Sequence, residues 1–177
     1  MLINFIKRLT YIVFCWSTFL SLSYAQESYI LGAGDKISIK VFGQEDLNIE
    51  SFLGNSGSVN YPFLGEVKVA GLSIKQVEVF ITKGLKGNYL ISPNVYVQVI
   101  EYRPFYIHGE VKKPGGYPYQ PGMTINQAVA LAGGLTDRAD KDKISLYKEA
   151  DKKLKQHASL QHNLSAGDTI TIEQRFF

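Results

Sequence analysis

Hydrophobic positions alternate with polar ones from Tyr29 onward. Ile37, Ile39 and Val41 interleave with Ser38, Lys40 and Phe42, the period of a strand with one buried face. Gly54, Gly57 and Gly65 divide the next stretch into short strands, with Val59, Tyr61, Phe63, Val67 and Val69 as strand residues. The period then lengthens. Ile74, Val77, Phe80, Ile81 and Leu85 share one helical face, Ser73 and Gln76 form an S-x-x-Q capping box ahead of it, and Gly84 and Gly87 end it. Ser92-Pro93 opens another strand, with Val95, Val97 and Val99 on one side and Tyr96, Gln98 and Ile100 on the other.

Arg103-Pro104 marks a boundary, because proline interrupts a strand ladder. Beyond it, Phe105 to Val111 reads as a strand and Lys112 to Gly116 as a turn, with Tyr117 to Tyr119 returning. Thr124 and Gln127 repeat the capping box, and Ile125, Ala128, Val129 and Ala132 form a narrow apolar stripe. Gly133-Gly134 suits a left-handed cap. Ile144 to Tyr147 and Thr169 to Glu173 are two more strands. The expected fold is α+β in two small domains: an α/β unit over residues 26–102 and a β-grasp-like unit over 103–177.

The first 25 residues are set apart from both. Lys7 and Arg8 precede an apolar run from Leu9 to Leu22, followed by Ser23-Tyr24-Ala25. A basic start, a short apolar core and small residues at −3 and −1 predict a secretory signal cut between Ala25 and Gln26. The run is shorter than the ~20 residues of a spanning helix. Cleavage removes Lys7, Arg8 and no acid, which lowers the formal charge from +3 to +1. A nearly neutral chain argues against nucleic acid as a partner. Cys15 and Trp16 leave with the signal, so neither a disulfide, a thiolate nor an indole platform for sugars is expected in the remainder. Phe14 before Cys15 disfavours a lipid anchor there.

Candidate chemistry is sparse. His157 and His162 are five apart with no H-E-x-x-H pattern, and His108 lies in a strand, so no metal site is expected. Glu45-Asp46 are adjacent and point apart, unlike the facing carboxylates of a glycosidase. Asp140 to Lys143 alternate in sign and read as a solvated turn. No serine sits in a G-x-S-x-G elbow, and Gly32-Ala33-Gly34-Asp35 lacks the helix of a phosphate loop. No catalytic residue, cofactor or enzymatic activity is expected. Lys148, Lys152, Lys153 and Lys155 are a candidate contact for an acidic polymer or partner, or a hairpin kept soluble by its charge.

Certain motifs resemble a known family. Tyr29 to Asp35 followed by Ile37 to Gly43 resembles the opening of the polysaccharide biosynthesis/export domain. Tyr61-Pro62-Phe63-Leu64-Gly65 with Ala70-Gly71-Leu72-Ser73, and Ser92-Pro93-Asn94-Val95, resemble its central and closing segments. His108-Gly109-Glu110-Val111-Lys112-Lys113-Pro114-Gly115 and Ala128 to Leu135 are similar to the SLBB domain, a β-grasp module. The motif residues are therefore Gly32, Gly34, Asp35, Pro62, Gly65, Gly71, Pro93, Gly109, Pro114, Gly115, Ala132, Gly133 and Gly134, in structural or assembly roles. Ala33 stands where the family usually has proline, and Ser51 to Asn60 is less regular than the family's strand.

The resemblance implies the outer-membrane polysaccharide export (OPX) family, in its short periplasmic type with one SLBB unit and no terminal pore helix. It implies a cyclic homo-oligomer that links an inner-membrane co-polymerase or exporter to an outer-membrane β-barrel partner, with polysaccharide as the transported substrate. The alternative is a free-standing periplasmic module that binds oligosaccharide.

Overall fold

A computed structural model describes residues 29–149 and 151–175 of the chain, except the side chain of Lys152. The predicted signal, its cut at Ala25 and Gln26, and Cys15 lie outside the described residues.

The first domain is built on a three-stranded antiparallel sheet. β1 (Lys36–Val41) lies between β2 (Ile49–Phe52) and β5 (Val95–Glu101). β3 (Ser58–Tyr61) and β4 (Gly65–Lys68) form a separate hairpin. Helix α1 (Ile74–Leu85) packs Val77, Ile81 and Leu85 into a core with Ile37, Ile39, Val41, Val95 and Val97. Its capping box forms in both directions: the Gln76 amide donates to Ser73 Oγ, and the Ser73 amide donates to Gln76 Oε1. The alternation in β1 is incomplete, since Ser38 is also buried. It is small and central, opposite Glu50 on one neighbour and Gln98 on the other.

The second domain is a five-stranded mixed sheet in the order β7-β6-β10-β8-β9. Its members are β6 (Phe105–Gly109), β7 (Gly115–Tyr117), β8 (Ala139–Lys148), β9 (Asp151–Ala158) and β10 (Thr169–Gln174). β10 runs parallel to β6, and the other pairs are antiparallel. Helix α2 (Ile125–Leu131) buries Ile125, Ala128 and Val129 against Phe105, Ile107, Ile144 and Ile170. Thr124 and Gln127 form the second capping box, and Gly133 and Gly134 both take positive φ after the helix. The α+β class and the sheet crossed by one helix agree with the sequence.

Several local expectations are corrected. Phe63 is not a strand residue but sits in the β3–β4 turn at φ 65°. Phe80 is half exposed, at the edge of the buried stripe, and Gly84 lies inside α1 rather than ending it. Asp140 to Lys143 belong to β8 and not to a turn, because strand pairing tolerates charge where a side chain reaches solvent. Gly115 begins β7 opposite Ile107 instead of turning the chain, and the return strand ends at Tyr117. The strand after Pro93 starts at Val95.

Candidate functional site

The sequence carries one nine-residue pattern twice. Leu31-Gly32-Ala33-Gly34-Asp35-Lys36-Ile37-Ser38-Ile39 leads into β1, and Leu164-Ser165-Ala166-Gly167-Asp168-Thr169-Ile170-Thr171-Ile172 leads into β10. Both copies fold alike. The Asp35 carboxylate accepts from the Gly32 amide at 2.9 Å, and the Asp168 carboxylate accepts from the Ser165 amide at 2.9 Å. Gly34 and Gly167 supply the positive φ that each turn requires. Both aspartates are buried, at 0% and 1% exposure. A buried carboxylate must find donors, and each turn supplies its own.

Between the two turns lies Arg103, the residue that joins the domains. Its amide donates to Asp35 Oδ1 at 2.8 Å, and its guanidinium Nη1 donates to Asp35 Oδ2 at 2.8 Å. Nη1 also donates to the Tyr29 hydroxyl at 2.8 Å, and Tyr29 donates in turn to Asp35 Oδ1 at 2.7 Å. With the Gly32 amide, Asp35 thus accepts four hydrogen bonds, about the capacity of two carboxylate oxygens. On its other side, Arg103 Nε pairs with Glu149 of the second domain. Tyr29, Tyr102 and Tyr119 pack edge to face along this junction, with centroids 4.8 and 5.7 Å apart.

The glycines around Arg103 have a shared cause. A Cβ on Gly32 would lie 2.7 Å from the guanidinium, and one on Gly34 would lie 3.1 Å from Arg103 Cβ. A Cβ on Gly167 would meet the Glu149 carboxylate at 2.0 Å. Gly32, Gly34 and Asp35 therefore form a seat for one side chain, not simply a turn. Asp168 holds Lys148 at 2.8 Å, and the Gly167 amide donates to the Pro104 carbonyl at 3.2 Å, which ties the second turn to the linker.

Electrostatics follow this geometry. Burial, then the hydrogen bond to Asp35, push the Tyr29 phenol well above its ordinary range, so it remains a donor. Burial works against the charge of Arg103, but Asp35, Tyr29 and Glu149 outweigh it and hold the guanidinium protonated. The junction is a structural clasp in which the two Asp35 carboxylate oxygens accept four hydrogen bonds.

The basic cluster is divided by the structure. Lys148 turns inward to Asp168, and Lys155 pairs with Glu173 at 2.6 Å on β10. Lys153 is exposed on the edge strand β9, and the Lys152 side chain lies outside the described residues. The motif residues are spread over both domains. Pro62 and Gly65 flank Phe63, Gly71 takes positive φ before α1, and Pro93 precedes β5. Gly109 ends β6 where a Cβ would lie 2.0 Å from the Ile172 carbonyl oxygen. Pro114 precedes β7, and Ala132 caps α2. Glu45 and Asp46 are exposed on a single 3-10 turn. Among the described residues, no group of three or more His, Cys, Asp or Glu could hold a metal ion.

One shallow cleft, about 300 Å³, opens beside α2 between Gln120, Met123, Gln127 and Leu131. No aromatic ring lines it. The Gln127 Oε1 that faces the helix start is already committed to the capping box.

Comparison with known proteins agrees with this two-domain layout. Residues 23–100 match the model of the polysaccharide biosynthesis/export protein family, and residues 104–154 match that of the SLBB domain. The chain belongs to the outer-membrane polysaccharide export family. The clasp at Arg103 thus joins the export domain to the SLBB domain. The exopolysaccharide production protein ExoF of Rhizobium meliloti is 36% identical over 134 residues, covering 68% of this chain and 31% of ExoF. The polysialic acid transport protein KpsD of Escherichia coli is 30% identical over 60% of this chain and 20% of KpsD. The EPS I polysaccharide export outer membrane protein EpsA of Ralstonia nicotianae is 29% identical over 83% of this chain and 48% of EpsA. The chain spans about a third of ExoF and about half of EpsA.

Sequence reasoning missed Arg103 as a site residue. Its partners Asp35 and Glu149 lie 68 and 46 positions away, so no local spacing shows them. The duplicated L-x-A-G-D-x-I-x-I pattern was the available signal.

Proposed function

We propose that this chain is a non-enzymatic periplasmic component of capsule or exopolysaccharide export. In this reading it assembles as a cyclic homo-oligomer that links an inner-membrane co-polymerase or exporter to an outer-membrane β-barrel channel. The observation that carries the proposal is the ordered pair of domains in one chain, an export domain followed by an SLBB domain. The names of ExoF, KpsD and EpsA, which speak of polysaccharide production, transport and export, support it.

The clasp gives the reading a physical basis. A ring subunit presents two different faces that must meet its neighbours at a fixed angle, or the ring does not close. Two domains joined by a free linker would let that angle vary. The bonds of Arg103 to Asp35, Tyr29 and Glu149 support a fixed angle. The basic start and apolar run of residues 1–25 support export to the periplasm by a cleaved signal.

Deletion of the gene in its host tests the proposal. Polymer should fall in the medium and either accumulate inside the cell or cease to be made, with recovery on return of the intact gene. Sedimentation of the purified chain tests the ring, which predicts a discrete oligomer whose mass is a whole multiple of the protomer's.

A further inference from the structure

The turn between β3 and β4 carries an unusual residue. The Leu64 amide donates to the Tyr61 carbonyl at 3.2 Å, so Tyr61 to Leu64 form a β-turn with Pro62 at its second position. The third position then takes positive φ, which glycine or asparagine favours. Here it is Phe63, at φ 65°, and no other non-glycine among the described residues has a positive φ. Backbone strain in a bulky residue persists where the position has a use.

The strain does not serve the core. Phe63 is 63% exposed and stacks on Tyr89, with ring centroids 4.7 Å apart and an interplanar angle of 23°. The Tyr89 hydroxyl donates to the Phe63 carbonyl at 3.4 Å. Leu64, the next residue, points the other way and packs on Gly84 of α1, where a Cβ would come within 2.9 Å. The turn is therefore anchored beneath and holds its aromatic side chain outward. Two residues beyond Tyr89, Ile91 is 93% exposed.

The segment that carries Tyr89 and Ile91 is basic. Residues 79–100 contain no Asp or Glu, while Lys83 and Lys86 are exposed there. On the hairpin, exposed Glu66 and Lys68 offset each other. An apolar prong with a basic surround complements an anionic bilayer, where lysines meet headgroups and rings enter the interface. A sugar is a poorer match: Phe63 and Tyr89 cover one face of each other, and Ile91 has no ring face to offer.

We propose that the Phe63–Tyr89–Ile91 tip, flanked by Lys83 and Lys86, docks the export domain on an anionic lipid surface. The proposal does not rest on the export reading, and its test is separate from gene deletion.

The test is co-sedimentation of the full chain with phosphatidylcholine vesicles, with and without phosphatidylglycerol. All variants carry the same N-terminal residues, so differences between them report on the tip. The anionic vesicles should bind the chain more tightly. Ile91→Ser and Phe63→Gly should each lower partitioning about tenfold, and Lys83→Gln with Lys86→Gln should lower it by a similar factor. Phe63→Gly should melt no lower than the parent, since glycine fits the turn, so lost binding cannot be ascribed to misfolding. In a Trp16→Phe background, Ile91→Trp emission should shift to the blue when anionic vesicles are added. Equal binding to neutral vesicles, or unchanged partitioning of Ile91→Ser, overturns the proposal. So does the finding that these variants leave vesicle binding intact and abolish self-association, which would make the tip a contact between copies.

Discussion

Replacing Arg103 by alanine removes the central member of the clasp and leaves its partners behind. The side chain is 14% exposed, and Asp35 beneath it is fully buried. Truncating one member of a buried ion pair typically costs about 3–5 kcal/mol, because the remaining charge is left in a low dielectric. Asp35 would still keep the Tyr29 hydroxyl, the Gly32 amide and the amide of residue 103. Three neutral donors lower the penalty, and we expect a loss of about 3 kcal/mol. For a chain of this size that is a fall in Tm of roughly 6–12 °C. Glu149→Gln removes only the outer pair, whose carboxylate is 32% exposed, and should cost no more than about 1 kcal/mol. Urea unfolding followed by circular dichroism measures both. Arg103→Ala should also split a single transition into two as the domains lose their coupling. A loss under about 1 kcal/mol with one coincident transition would falsify the clasp.

Three further outcomes follow from the same geometry. Gly109→Ala sets a Cβ against the Ile172 carbonyl at positive φ and should destabilise by about 3 kcal/mol, whereas Gly133→Val, with its nearest neighbour 3.5 Å away, should cost about 1–2 kcal/mol; equal losses in thermal melts would show that φ alone governs both. Burial raises the phenol pKa of Tyr29, Tyr61, Tyr102 and Tyr119, so the folded chain keeps protons that the unfolded chain loses above its ordinary pKa of about 10. Stability should therefore be level below that pH and fall above it, with a shallower fall in Tyr29→Phe; a flat alkaline profile contradicts the burial of these hydroxyls. Fusing residues 1–25 to a reporter should deliver it cleaved to the periplasm, and retention in the membrane fraction would refute the signal assignment.

The parts of the fold that were legible in the sequence are those set by local chemistry. S-x-x-Q at Ser73 and T-x-x-Q at Thr124 each marked a helix start, because a capping box needs only residues three apart. Val95, Val97 and Val99 alternated as a strand with one buried face does, and Gly133-Gly134 marked a left-handed cap. What escaped was set by tertiary context. Lys141, Asp142 and Lys143 face solvent on β8, so their charge hid the strand and shortened it to Ile144–Tyr147. Phe63 read as strand because hydrophobicity was the signal, and hydrophobicity does not reveal φ. Lys148 and Lys155 looked like a basic patch because Asp168 and Glu173 lie 20 and 18 positions downstream. Asp35 is legible only as a motif residue with a structural or assembly role; its tie to Arg103, 68 positions away, needs the fold.

Whether the two clasped domains act together in polysaccharide export is decided by complementation. Polysaccharide in the medium is measured in the deletion strain carrying no gene, the intact gene or the Arg103→Ala gene at matched protein levels. Secretion should be lost without the gene, restored by the intact gene and reduced with Arg103→Ala. Normal secretion from the deletion strain, with no second copy of the gene to supply it, would contradict a role in export.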